Sequence, residues 1–113
     1  MQRIVVTGLG ALTPIGNSVD EFWANLIAGK SGIRRTTAFD PSPLDVQIAG
    51  EVQDFDPKRY IDPKAARRMD RFSQFAVSAA RMALEDANLE IDPENSDRVG
   101  VMMNTGGGGI PAL

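Results

Sequence analysis

Short apolar runs alternate with amphipathic helical segments along this chain, and this alternation restricts the fold more than any other feature. Ile4-Val5-Val6 is a continuous β-branched run, and Val99-Gly100-Val101-Met102-Met103 is a second apolar run. Runs without polar alternation are typical of strands covered on both faces, as in parallel sheets. Ile48-Ala49-Gly50-Glu51-Val52 predicts a third, short strand near a sheet edge, because glycine interrupts it. We therefore predict an α/β fold with a parallel-type sheet and covering helices.

A first helix is predicted over residues 18–28. Ser18 stands three residues before Glu21, which is the spacing of a capping box, and Gly29 is suited to a left-handed helix end. The segment that follows, residues 31–44, is rich in proline, glycine and isolated polar residues, and it predicts a long connection. The apolar face of the helix comprises Phe22, Trp23, Leu26 and Ile27, and we expect its aromatic pair to belong to the core.

Two further helices are predicted in the second half of the chain. Asp62-Pro63 is a strong helix start, with Asp at the N-cap and Pro at the first helical position, and it predicts a short basic helix over residues 64–68. Apolar residues three and four apart predict the longest helix over residues 70–87, with Asn88 as its terminator. The many alanines of this helix predict close packing against another helix or a sheet.

The composition removes several classes of function. The 113 residues contain no Cys and no His, so we predict no catalytic residue, no metal site and no disulfide within them. The 12 Lys and Arg residues against 15 Asp and Glu residues give a net charge of −3, which argues against nucleic acid as a partner. No apolar run approaches the roughly 18 residues that span a bilayer, so we expect a cytoplasmic protein without a membrane partner.

The glycine loop that follows the first apolar run suggests a dinucleotide site, but the spacing fits poorly. Gly8 and Gly10 match the first two glycines of the dinucleotide fingerprint. The third glycine is due at Thr13, and Pro14 stands where the helix should already be running. A dinucleotide-binding oxidoreductase is therefore the weaker alternative.

The sequences of several separate motifs resemble the N-terminal part of the β-ketoacyl-[acyl carrier protein] synthases, most closely the elongating synthase II type. The resemblance covers essentially the whole chain, and the number of motifs in register makes it specific. The motifs include Arg3-Ile4-Val5-Val6-Thr7-Gly8-Leu9-Gly10, Thr13-Pro14-Ile15-Gly16-Asn17, Gly29-Lys30-Ser31-Gly32-Ile33, Arg68-Met69-Asp70-Arg71-Phe72 and Arg98-Val99-Gly100-Val101.

The resemblance implies a thiolase-like fold, a homodimer at full length, and chain elongation in fatty-acid biosynthesis by decarboxylative Claisen condensation with malonyl-carrier protein. The family's catalytic cysteine and two histidines lie beyond residue 113, so residues 1–113 are expected to be an incomplete N-terminal part of the synthase N-terminal domain. No cofactor is expected, since phosphopantetheine arrives on the carrier protein. A stand-alone module that binds carrier protein without catalysis is the second alternative.

Two sites follow from the resemblance. Lys64, Arg67 and Arg68 are expected to contact the acidic recognition helix of the acyl carrier protein, although a cluster of this kind is also typical of a solvated helix face. Gly107 stands where the synthase II type carries a branched apolar side chain that gates the acyl pocket. A glycine at this position also suits a flexible or tightly turned loop.

Overall fold

The structure is a computed structural model that describes residues 1–109. It contains two compact units, one formed by Ala11–Phe55 and the other by Met1–Gly10 together with the residues from Asp56 onward. None of the helices in the described part is long and apolar enough to cross a membrane. The elements in chain order are α1 (Val19–Ile27), β1 (Ile33–Arg35), β2 (Ile48–Gly50), a 3-10 helix (Pro57–Arg59), α2 (Pro63–Ala66), α3 (Arg71–Asp86) and a second 3-10 helix (Ser96–Arg98).

The first helix, α1, begins and ends at the residues that the sequence indicates. Ser18 Oγ accepts a hydrogen bond from Glu21 N at 3.1 Å, and a Glu21 carboxylate oxygen accepts one from Asn17 N at 3.0 Å. Gly29 has a φ of 68°, the left-handed conformation expected after the helix. The expected burial of the aromatic pair on its apolar face is wrong, because α1 has no buried residue and Trp23 is 59% exposed. A ribbon of two three-residue strands in the same unit offers too little surface to cover that face.

The sheet of this unit differs from the expected parallel arrangement. β1 and β2 pair antiparallel, with Ile33 opposite Gly50 and Arg35 opposite Ile48. β2 confirms the short strand, whereas β1 lies where we expected only a connection, because a strand of one isoleucine and two arginines carries no apolar pattern. No helix lies between β1 and β2 to carry the chain back to the start of the first strand, as parallel pairing requires. The chain instead reverses its direction in a loop, so the two strands run antiparallel.

The connection between these strands is bonded both to Glu51, just after β2, and within itself. The Glu51 carboxylate accepts hydrogen bonds from Thr37 N, Thr37 Oγ1 and Ala38 N at 2.8 to 3.2 Å. Asp40 accepts hydrogen bonds from Ser42 Oγ at 2.6 Å and Ser42 N at 3.1 Å, and these bonds lower the pKa of the Asp40 carboxyl. One end of the loop is therefore bonded to the residue after β2, and its middle is closed by a local turn.

The two apolar runs that we expected to form parallel strands are not strands in the described residues. Residues 4–6 and 99–103 are assigned to no ladder, and Ile4 and Met102 are both 94% exposed. A strand exists only when its backbone pairs with a neighbour, and residues 1–109 supply neither segment with one. Both runs therefore present apolar side chains to solvent.

Close packing of α3 is confirmed, although the segment that packs on it is a loop. A Cβ atom added at Gly10 would lie 2.0 Å from Ala79 O, and one added at Gly8 would lie 2.2 Å from Ala83 O. Leu9 N donates a hydrogen bond of 2.9 Å to an Asp86 carboxylate oxygen. Alanines on α3 thus leave room for a backbone that has no side chains at the two points of closest approach.

We predict that Gly10→Ala destabilises the protein by about 1–3 kcal/mol, because the new methyl group overlaps a helix carbonyl and forces the backbone to shift. Gly100→Ala is the matched control, since a Cβ atom at Gly100 has no heavy atom within 4 Å among the described residues. Urea unfolding followed by circular dichroism measures both variants. Equal unfolding midpoints for Gly10→Ala and Gly100→Ala would contradict the close approach.

Candidate functional site

Residues 57–71, called here the basic segment, concentrate positive charge in a chain that is acidic overall. The segment carries six of the chain's 12 cations and two carboxylates, a net charge of +4, whereas the whole chain has a net charge of −3. Clustered charge of one sign raises the association rate of an oppositely charged partner and orients the encounter. The cations are Lys58, Arg59, Lys64, Arg67, Arg68 and Arg71.

Helix α2 within this segment is built by the residues that the sequence indicates. Asp62 Oδ1 accepts hydrogen bonds from Lys64 N at 3.0 Å and Ala65 N at 3.1 Å, and Pro63 occupies the first helical position. Arg67 Nε donates to Pro63 O at 3.2 Å, which draws the arginine stem along the helix. A cap at one end and a side-chain bond along one face stabilise a helix of four residues that would not persist alone.

A side-chain amide of α3 is bonded to the end of helix α2. Gln74 Nε2 on α3 donates a hydrogen bond of 2.9 Å to Ala66 O at the end of α2. Ala66 is 4% exposed, and Ile61, just before α2, is 5% exposed. Both are buried apolar residues, so the basic segment includes part of the core of its unit.

The structure brings the three expected docking residues together. Lys64, Arg67 and Arg68 are all exposed. Lys64 lies in α2, which ends at Ala66 and so before the predicted residue 68, and Arg67 and Arg68 form the turn that follows it. No ion pair to any of the three is formed within residues 1–109. Lys58 and Arg59 also contribute to this charge, but they were not predicted as site residues. They precede the predicted helix, and only the summed charge of residues 57–71 identifies them.

Gly107 lies in an exposed bend of the same unit. Among the described glycines, positive φ values occur at Gly29 and Gly109, so the backbone at Gly107 does not itself demand glycine. The neighbouring Gly108 does require the absence of a side chain, because a Cβ atom there would lie 2.8 Å from the Phe72 ring.

A cavity of about 460 Å³ is lined in part by the residues that come just before Gly106–Gly109 in the chain. Most of its wall is apolar, and Thr105 connects it directly to the glycines. An apolar cavity of this size suits an aliphatic chain better than a charged ligand. Its lining residues are Phe72, Ser73, Phe75, Ala76, Val77, Met103, Asn104 and Thr105.

The packing of the first glycine loop argues against a dinucleotide site. The space in front of Gly8 and Gly10, where a pyrophosphate would have to approach, is filled by the α3 carbonyls of Ala83 and Ala79. The following turn is closed on itself by hydrogen bonds between Thr13 and Gly16 of 2.9 and 3.2 Å. In the part of the chain that the structure describes, no group of three or more Asp, Glu, His or Cys residues could hold a metal ion.

The known proteins that this chain resembles are β-ketoacyl synthases. Residues 1–112 match the family described as "Beta-ketoacyl synthase, N-terminal domain". A 3-oxoacyl-[acyl-carrier-protein] synthase 2 from Coxiella burnetii is 50% identical over 110 residues, which are 97% of this chain and 27% of that protein. The chain therefore spans about a quarter of the length of the curated relatives that it matches.

Solved structures agree with the sequence comparison. The ishigamide ketosynthase/chain length factor has a TM-score of 0.70 and 45% identity, covering 76% of this chain and 21% of that one. The AntDE:AntF complex, a type II PKS acyl-carrier protein in complex with its ketosynthase, has a TM-score of 0.58 and 35% identity, covering 79% of this chain and 24% of that one. The described segment therefore has the partial α/β fold of the ketosynthases.

We predict that Asp62→Ala lowers stability by about 1 kcal/mol, because two backbone amides at the start of α2 lose their acceptor. Asp62→Asn keeps an acceptor oxygen while removing the charge, and its stability should stay close to that of the parent. Urea unfolding of the two variants separates the cap from the charge. If Asp62→Asn were destabilised as much as Asp62→Ala, the cap would not be what Asp62 contributes.

Proposed function

Because the chain belongs to the β-ketoacyl synthase family, we propose that it forms the N-terminal part of a 3-oxoacyl-[acyl carrier protein] synthase. Such an enzyme elongates acyl chains in fatty-acid biosynthesis by decarboxylative Claisen condensation with malonyl-carrier protein. The cysteine and histidines of this reaction belong to the rest of the synthase, since the 113 residues contain neither type. The proposal includes a homodimer in the cytoplasm, and phosphopantetheine supplied by the carrier protein.

The observation that carries this proposal is the exposed cationic turn of α2. We assign Lys64, Arg67 and Arg68 to docking of the acyl carrier protein through its acidic helix. The similarity to a ketosynthase that is solved together with its acyl-carrier protein supports this assignment. The basic segment then binds the carrier protein and brings it to the enzyme, while the condensation takes place on other residues.

We assign Gly107 to the acyl pocket, as a gate position that carries no side chain. The apolar cavity next to Thr105 supports this assignment, because an acyl chain needs an apolar space close to the gate. Without a branched side chain at Gly107, the pocket is open past this point without any rotation. The enzyme should therefore accept long acyl primers readily.

The stand-alone binding module is disfavoured by the exposed apolar runs. Ile4 and Val6 are 94% and 79% exposed, and Val101 and Met102 are 81% and 94% exposed. A protein that consisted of these residues alone would expose a large apolar surface to water, which soluble monomers rarely do. These runs are better explained as surfaces that the rest of a synthase covers.

We predict that reversing the charges of Lys64, Arg67 and Arg68 to Glu slows association with acyl carrier protein by about tenfold at low ionic strength. The effect should shrink in about 0.5 M salt, where the screening length falls to about 4 Å. Stopped-flow binding to a full-length synthase that carries this segment measures the rate. Stability should change little, because exposed charges contribute little to it.

The matched control for charge reversal is Arg98→Glu, an exposed arginine of the same unit that lies outside the basic segment. It should leave the association rate within a factor of about two of the parent rate. A triple reversal that binds the carrier protein as fast as the parent at low salt would refute the docking assignment.

We predict that Gly107→Ile selectively reduces activity toward long acyl chains. If the new side chain displaces about two substrate methylenes, the loss is roughly 1.6 kcal/mol, or about tenfold in the ratio of kcat/KM for long and short primers. The same substitution at Gly106, where a Cβ atom meets open space, is the control. Equal losses for all chain lengths would show that Gly107 serves only the backbone.

A further inference from the structure

A groove of about 500 Å³ borders α2 where the 3-10 helix Pro57–Arg59 and α3 pack beside it. Two of its lining residues are cationic and exposed, three are proline or alanine, and one is an amide that is already bonded to Ala66 O. None of the carboxylates of residues 1–109 lines it. The lining residues are Pro57, Lys58, Pro63, Ala66, Arg67 and Gln74.

Hydrogen bonds fix the backbone at Lys58 and the side chain of Arg67. Asp56 Oδ1 accepts a hydrogen bond of 3.0 Å from Lys58 N, which fixes the start of the 3-10 helix that carries Lys58. Arg67 Nε is bonded to Pro63 O, which leaves the terminal nitrogens of its guanidinium for a partner. Neither Lys58 nor Arg67 forms an ion pair with any carboxylate in residues 1–109.

The apolar lining between these cations is rigid. Pro57 and Pro63 have fixed backbone φ angles, and the buried Ala66 is tied to α3 by the Gln74 amide. Such a groove suits a helical segment that presents a carboxylate next to a small aliphatic side chain. The carboxylate would lie between Lys58 and Arg67, and the aliphatic group would contact the prolines.

We propose that this groove receives the acidic helix of the acyl carrier protein and that Lys58 is a docking residue beside Lys64, Arg67 and Arg68. The inference rests on the proposed function, and it extends the docking surface from α2 to the preceding 3-10 helix. Charge complementarity identifies the occupant, because the basic segment has a net charge of +4 and the groove contains no acid. Arg67 belongs to both parts of the surface, so the two parts form one continuous site.

The test compares Lys58→Glu with Arg98→Glu in a full-length synthase that carries this segment. Lys58→Glu should slow association with acyl carrier protein about threefold to tenfold at low ionic strength, and Arg98→Glu should leave it unchanged. Lys58→Arg should retain the parent rate, since it keeps the charge. The value of kcat/KM should fall for acyl groups on the carrier protein and stay unchanged for the same acyl groups on free pantetheine.

A photocrosslinking amino acid placed at position 58 gives an independent readout of contact. It should form a covalent adduct with acyl carrier protein, whereas the same group at position 98 should not. Absence of the adduct at position 58 would overturn the proposal.

The outcomes separate this inference from the proposed function. If the Lys64, Arg67 and Arg68 reversal slows association while Lys58→Glu does not, the groove is not part of the docking surface and the proposed function stands. If neither variant slows association, both are overturned. Equal losses of kcat/KM for carrier-borne and free acyl groups in Lys58→Glu would show that Lys58 acts on the fold, which also overturns the inference.

Discussion

Small side chains on α3 are the constraint on which the rest of its unit depends. Ala79 and Ala83 let the backbone of residues 8–10 approach their carbonyls so closely that only glycine fits at Gly8 and Gly10. At the beginning of the same helix, Gln74 binds the last carbonyl of α2, and Ala66 is buried beside it. One helix therefore positions both the N-terminal loop and the basic turn, and substitutions on it are expected to disturb the two together.

The helices could be predicted from the sequence because their signals are local. Ser18 and Asp62 bond to amides two or three residues away, and the periodicity of α3 needs no distant partner. Of the strands, β2 was predicted and β1 was not, because a strand depends on a neighbour that the local pattern does not identify. Residues 4–6 have the expected apolar pattern and no ladder, whereas β1 has a ladder and no apolar pattern.

The same division applies to the candidate site. Lys64, Arg67 and Arg68 could be identified from the resemblance and from helix spacing, and the structure places them on one exposed turn. The hydrogen bond from Gln74 and the groove beside Lys58 depend on how α2, α3 and the 3-10 helix pack, which spacing along the chain does not reveal. The role of Gly107 stays a prediction, because it concerns a substrate that contacts several segments at once.

The proposed function makes this chain the N-terminal part of a condensing enzyme. The most direct test replaces the corresponding residues of the Coxiella burnetii synthase, which is 50% identical, with residues 1–109 of this chain and measures condensation of acyl- and malonyl-carrier protein. We expect a folded chimera that condenses at a rate comparable to that of the parent and loses carrier-dependent activity when the charges of Lys64, Arg67 and Arg68 are reversed. A chimera that folds and dimerises like the parent but forms no product would contradict the proposed function.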